Sequence, residues 1–282
     1  MRTEQLVIDT MCYTDFPLER ALSGIAEAGV SRVELCASID SCDHAAPERL
    51  GSGASGKLVS LLDEYHLTAV SLSAHADITT ESGLIAFTSR LLLAAESNIP
   101  IIIMPLPPDR QHHRPDLPLR AGPEVDDLFC GNVLKLADLA AKLGVVVCLE
   151  TIGYLLGTAE QCVALIHRLN HPNLRINYDP ASLLFFVPDS KPTKDDITVL
   201  APYLAHVHLN DKASSEMARY DFCPTGEGVV GWESMLGEMD RVGFTGPASI
   251  EIGWEVPPET AEDVDDAVRR SCQFVQSYFR DN

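Results

Sequence analysis

Positive charge is scarce in this chain. Lys and Arg total 21 against 41 Asp and Glu, a formal net charge of −20 over 282 residues. A surface of that sign repels nucleic acid and anionic membranes, so neither is expected as a partner. C-x-x-C pairs are missing too. The eight cysteines (Cys12, Cys36, Cys42, Cys130, Cys148, Cys162, Cys223 and Cys272) are scattered, several inside apolar segments where buried free thiols are common. That sets aside a structural zinc held by thiolates. No apolar run approaches membrane-spanning length. No leader pattern opens the chain, since Met1-Arg-Thr-Glu-Gln5 runs straight into a strand. A cytoplasmic protein with reduced thiols is the expectation.

What is present is hydrophobic content of 46%, enough for a full core, in a repeating alternation of strand and helix. Strands are expected at Leu6–Thr10, Arg32–Cys36, Ala69–Ala74, Ile99–Met104, Val145–Glu150, Leu174–Asp179, Ala205–His208 and Ala248–Glu251. Helical patterns lie between them, at Pro17–Ala28, around Lys57–Tyr65, and at Glu81–Glu96, Val125–Leu143, Ala159–Leu169, Asp195–Leu200, Trp232–Val242 and Ala261–Phe279. Eight βα units with no linker predict a single-domain (β/α)₈ TIM barrel over residues 1–282. Strand parity agrees. Glu34 and Cys36 oppose Val33 and Leu35; Ser71, Ser73 and His75 oppose Val70, Leu72 and Ala74; His206, His208 and Asn210 oppose Val207 and Leu209. One face can pack under helices and the other is polar. A doubly wound sheet would need both faces apolar.

Four side chains end four successive strands: Glu150, Asp179, His208 and Glu251. In a parallel barrel these ends converge on one mouth. Three carboxylates and an imidazole gathered there repel one another without a cation. Oxygen donors with one imidazole suit a single divalent ion such as Mn²⁺, Co²⁺, Mg²⁺ or Zn²⁺.

The runs His206-Val-His-Leu-Asn-Asp211, Gly226-Glu-Gly228 with Trp232, Asn177-Tyr-Asp-Pro-Ala181 and Leu149-Glu-Thr151 resemble the xylose isomerase-like TIM barrel superfamily. That group contains sugar and sugar-phosphate isomerases and epimerases, some dehydratases, and the DNA-repair endonuclease IV. The resemblance spans the chain and is sharpest over residues 145–255. It implies one metal held by Glu150, Asp179, His208 and Glu251, with Glu150 and Glu251 also moving the proton.

Departures narrow the reading. Ser182 stands where endonuclease IV-like members place a histidine, Asp221-Phe-Cys-Pro-Thr225 lacks their Asp-x-His ligands, and strand 4 ends in Met104-Pro105. His75 alone survives as a possible remnant, so no action on DNA is expected. Leu155 and Leu156 fill the region where ketose 3-epimerases carry a glutamate, and Ser214 falls near their arginine, so their substrate does not transfer.

Candidate substrate contacts are His75, Glu34, His206, Lys212 and Arg114. His75 ends strand 3. Glu34 contacts substrate or satisfies Arg32 or another group of the barrel floor. His206 lies one strand repeat below His208, where it orients ligands or packs in the core. Lys212 stabilises a developing oxyanion or is a solvated loop lysine. Pro105–Pro123 is a long mouth loop rich in proline that carries Arg110, His112, His113, Arg114 and Arg120. It closes over substrate, or its arginines pair with surface acids or a neighbouring subunit. Ser52–Gly56 is expected to be a flexible loop.

The expected activity is metal-dependent isomerisation or epimerisation of a small hydroxy-carbonyl compound of sugar or polyol type. A dehydratase or lyase of the same fold and a non-catalytic sugar-binding barrel are the alternatives. A homo-oligomer is possible.

Overall fold

Eight parallel strands close on themselves in the order β1-β10-β7-β6-β5-β4-β3-β2. They are β1 (Leu6–Asp9), β2 (Arg32–Cys36), β3 (Thr68–Ser73), β4 (Ile101–Met104), β5 (Val146–Glu150), β6 (Leu174–Tyr178), β7 (Leu204–Leu209) and β10 (Ala248–Ile250). A two-stranded antiparallel ribbon, β8 (Asp211–Lys212) with β9 (Phe222–Cys223), interrupts the count after β7. The computed structural model describes residues 2–39, 41–104, 123–152 and 155–279. The loop expected at 105–123, with Arg110, Arg114 and Arg120, lies outside the described residues apart from Pro123, which opens a helix.

The helices are α1 (Leu18–Glu27), α2 (Pro47–Leu50), α3 (Ala54–Glu64), α4 (Glu81–Glu96), α5 (Pro123–Leu143), α6 (Ala159–Leu169), α7 (Pro180–Phe186), α8 (Lys194–Leu200), α9 (Trp232–Arg241) and α10 (Ala261–Gln276). Their starts follow from local chemistry. Thr80, Thr158, Thr193 and Thr260 each accept a backbone N–H in the first turn of α4, α6, α8 and α10. Such a cap satisfies a donor that the helix itself cannot. Asn170 closes α6 with a left-handed backbone at φ 45°. Two expectations are corrected: residues 54–56 belong to helix α3 rather than a loop, and the last helix stops at Gln276. The short helix α7, which no expectation covered, follows Asp179 directly. No described helix is long and apolar enough to cross a membrane.

Parity divides the strands as the sequence implies. Ile8, Val33, Leu35, Leu72, Ile102, Val147, Leu149, Ile176, Val207, Leu209 and Ile250 join the apolar core that packs beneath the helices. The alternate residues form a ladder around the interior: Asp9 pairs with Glu34, Glu34 with Ser71, Cys148 with Arg175, Glu150 with Asn177, Asn177 with His206, and His208 with Ser249. Bonds across the barrel prove the direction. Ser71 on β3 and Glu34 on β2 both reach His206 or His208 on β7. The inner face is therefore a stack of polar layers that opens at the strands' C-terminal ends.

Candidate metal centre

Glu150 ends β5, Asp179 follows β6, His208 lies near the end of β7, and Glu251 follows β10. These strands are neighbours in the barrel, β5-β6-β7-β10, so each contributes one side chain to the same half of the mouth. One donor atom from each of the four falls within 4.8 Å of the others, an arrangement able to hold a metal ion. His208 is at the centre. Its Nδ1 lies 2.7 Å from Glu251 Oε2, 3.3 Å from Glu150 Oε1 and 3.7 Å from Asp179 Oδ2. All four residues are buried.

Burial of three carboxylates with one imidazole leaves charge to be compensated. Burial disfavours a charged His208, yet Glu251 and Glu34 raise its pKa well above the ordinary histidine value. Burial also works against an ionised Glu150, but the His75 and His208 imidazoles hold its carboxyl below the usual range. Glu251 is pushed up, by burial first and then by Asp179 and Glu150, against the pull of His208. The donor set suits a hard or borderline divalent cation. Asn210, whose Nδ2 donates to Asp179, keeps its buried Oδ1 without a hydrogen bond among the described residues, and Glu150 Oε2 meets the His75 ring nitrogen at 2.7 Å without a well-formed hydrogen bond. Unpaired buried acceptors are expensive, and acceptors clustered at a barrel mouth fit a cation.

Asp179 is held at both oxygens. Ser182 donates its backbone N–H to Oδ1 at 2.8 Å and its hydroxyl to Oδ2 at 2.8 Å. Thr151 Oγ1 accepts the Asp179 backbone N–H at 2.7 Å. The carboxylate therefore caps α7 while keeping Oδ2 near His208. Ser182 is thus used to fix Asp179.

The remaining candidates separate. His75 stays at the rim, with 30% of its side chain exposed and Nε2 2.7 Å from Glu150 Oε2 at an angle that is not a hydrogen bond. Burial opposes its charged form, but Glu150 raises its pKa. Glu34 is fully buried and meets His206 and His208 rather than Arg32 or the mouth. Burial opposes its charge and the two imidazoles keep it ionised. His206 is equally buried, bonded to Asn177 Oδ1 at 2.9 Å and Ser71 Oγ at 3.0 Å, and burial lowers its pKa. Neither is open to a substrate, which sets aside a substrate contact for both and leaves the other role expected of each, a buried group of the barrel floor for Glu34 and a place behind His208 for His206. Lys212 is corrected as well. Its ammonium pairs with Asp221, donates to the Arg219 carbonyl, and lies 5.4 Å from the centre of the Phe222 ring. It anchors the ribbon and is not a free cation at the mouth.

Asp9 was not singled out from the sequence. It is fully buried at the end of β1, with Oδ1 accepting from Met11 N at 2.8 Å and Oδ2 unpartnered. Burial, then Glu34 and Glu251, raise its pKa well above the aspartate value. The signal available was its place: it ends an apolar strand as Glu150 does.

The Thr225-Gly-Glu-Gly228 segment wraps the Asp211 carboxylate. Gly226 N, Gly228 N, Val230 N and Lys212 N all donate to it, at 2.9–3.1 Å. A Cβ on Gly228 would collide with that carboxylate and with the Lys212 carbonyl. Gly228→Ala is therefore expected to cost about 2 kcal/mol or more, the scale of overpacking against backbone. Chemical denaturation would show it as a lower midpoint; an unchanged midpoint would mean the loop moves aside freely.

A family model described as Xylose isomerase-like TIM barrel matches residues 22–278. Among curated proteins, the L-ribulose-5-phosphate 3-epimerase UlaE of Shigella flexneri serotype 5b (strain 8401) is 25% identical over 150 residues, 53% of this chain and 49% of that protein. The chain thus spans about half the length of the curated relatives it matches. Among solved structures, a zinc-bound IOLI protein superposes with a TM-score of 0.76 at 16% identity, covering 99% of this chain and 100% of the other. The probable 3-DHS dehydratase AsbF of Bacillus anthracis gives 0.70 at 17% identity, covering 97% and 99%. At these identities the structural likenesses establish the fold.

Proposed function

The chain belongs to the xylose isomerase-like TIM barrel family, and from that premise we propose that it is a divalent-metal-dependent isomerase or epimerase of a small hydroxy-carbonyl compound of sugar or polyol type. The observation that carries the reading is the gathering of Glu150, Asp179, His208 and Glu251 within 4.8 Å at the barrel mouth. The sugar-phosphate epimerase among its relatives supports the substrate class.

Glu150, Asp179, His208 and Glu251 would hold the cation. When bound, a divalent ion supplies Lewis-acid stabilisation of charge developing on a carbonyl oxygen. Glu150 and Glu251 move the proton. They sit on the outer two of the four contributing strands and so flank the site from both sides. One carboxylate takes the proton from the carbon next to the carbonyl, and the other returns one to that carbon or its neighbour. Asp179, fixed at both oxygens by Ser182, has no freedom to shuttle and serves to hold the ion. His75 lines the rim beside Glu150 and hydrogen-bonds a substrate oxygen.

Incubating the loaded protein with a panel of ketoses and ketose phosphates, followed by product identification, tests the reading. An epimer or aldose–ketose isomer is expected. A dehydrated product would instead assign the site to a lyase.

The raised pKa of His208 adds a prediction. Ligation needs one ring nitrogen free of its proton, so binding should release about one proton per ion. Because the folded pKa is raised, affinity is weakened below it and recovers as pH rises through it, about tenfold per unit. Calorimetry in two buffers of different ionisation enthalpy reads this directly, and a buffer-independent heat would contradict it.

A further inference from the structure

His208 presents two nitrogens to two different surroundings. Nδ1 faces Glu251, Glu150 and Asp179 at 2.7–3.7 Å. Nε2 faces Glu34 Oε1 at 3.0 Å, its one carboxylate neighbour among the described residues, deeper in the barrel. We propose that Glu34 is the positioning carboxylate of the centre: it takes the Nε2–H of His208 and so commits the Nδ1 lone pair, and not Nε2, to the metal. The inference rests on the metal reading above and deepens it by naming the ligating atom and the residue that selects it.

Three observations support the assignment. First, Glu34 has no freedom to turn into the mouth. It is fully buried, and its other oxygen, Oε2, is 2.9 Å from both His206 Nε2 and Ser71 Oγ. The Ser71 hydroxyl donates to Oε2, so the carboxylate is arranged as an acceptor, and the nitrogen that meets Oε1 carries the proton. Second, the ring cannot easily flip. Asn177 Nδ2 lies 3.2 Å from Nδ1 and 3.3 Å from Nε2, so it sits against the ring rather than in line with either lone pair. Asn177 is itself held through Oδ1 by His206 Nδ1 at 2.9 Å. Glu34, His206, Asn177 and His208 thus close a ring of contacts in the barrel interior. Third, the same atoms make a second metal site unnecessary. Glu34, His206 and His208 also bring donor atoms within 4.8 Å. The nitrogen–oxygen separations of 2.9 and 3.0 Å are ordinary hydrogen-bond lengths, which account for them without an ion. A carboxylate behind a ligating histidine fixes its tautomer and makes the other nitrogen a better ligand.

The test uses the full chain with histidine labelled in ¹⁵N and loaded with Zn²⁺. Long-range proton–nitrogen correlation should show His208 with a protonated Nε2 and a metal-bound Nδ1, and one zinc per chain. In parallel, Glu34→Ala should weaken zinc binding by roughly 10–100-fold, and Glu34→Gln, which keeps an acceptor oxygen, by less. A merely structural role would lower the melting temperature of the zinc-free variants without changing the nitrogen pattern. Zinc held through Nε2, a second zinc on Glu34 and His206, or wild-type affinity in Glu34→Ala would overturn the inference while leaving the centre in place. Failure of the unmutated chain to bind zinc would remove the metal reading itself.

Discussion

Glu150→Gln and Glu251→Gln should each lower turnover by roughly 10²–10⁴-fold, the usual loss on removing a general acid or base. That corresponds to about 3–5 kcal/mol of transition-state stabilisation. Glutamine keeps the shape and one ligating oxygen, so the substitution removes the proton-carrying group more selectively than alanine would. The two variants should differ in detail. Glu150 is the partner of His75 as well as of His208, so its loss also frees the rim histidine. Among the described imidazoles Glu251 pairs with His208, at 2.7 Å. Steady-state rates on the substrate found by product screening provide the measurement. A variant that turns over at the wild-type rate would remove that glutamate from proton transfer.

Removing a ligand that moves no proton should have an equally large effect on a different quantity. Asp179→Ala and His208→Ala should reduce the content of divalent ion from about one per chain to essentially none. Asp179→Asn separates the two duties of this residue. Its amide oxygen can still accept from Ser182 N and cap α7, so the fold is spared, while the charge is lost. Elemental analysis of purified protein checks the set. Full occupancy in all three would sink the ligand assignment.

Much of this was legible in the sequence because strand periodicity is simple. A residue every second position faces the barrel interior, so polar residues in an apolar strand declare the inner face and the strand's end declares the mouth. Glu150, Asp179, His208 and Glu251 satisfied both conditions and came together. Depth was legible for His206, one strand repeat below His208, and harder to read for Glu34. Glu34 and His206 have the right parity, but each lies two residues below the top of its strand's polar face. The pairing register also shifts at Val33/Glu34 and at Ile176/Asn177, which no spacing rule reveals. They face each other in a buried layer instead of the mouth. Lys212 misled for another reason. Adjacency to Asp211 suggested the mouth, but the chain leaves the barrel there and a ribbon turns the side chain to Asp221, nine residues on. Asp9 was overlooked because β1 offers only one polar inward residue, too few to show alternation. α7 had its signals, an Asp cap followed by Pro180, hidden inside a motif already assigned to the site.

Proton exchange with solvent tests the central claim most directly. The loaded protein, incubated in D₂O with its hydroxy-carbonyl substrate and followed by NMR, should place deuterium on the carbon next to the carbonyl, and Glu150→Gln and Glu251→Gln should suppress it. Interconversion of substrate and product with no deuterium gained, in wild type and at long times, would contradict proton transfer through Glu150 and Glu251.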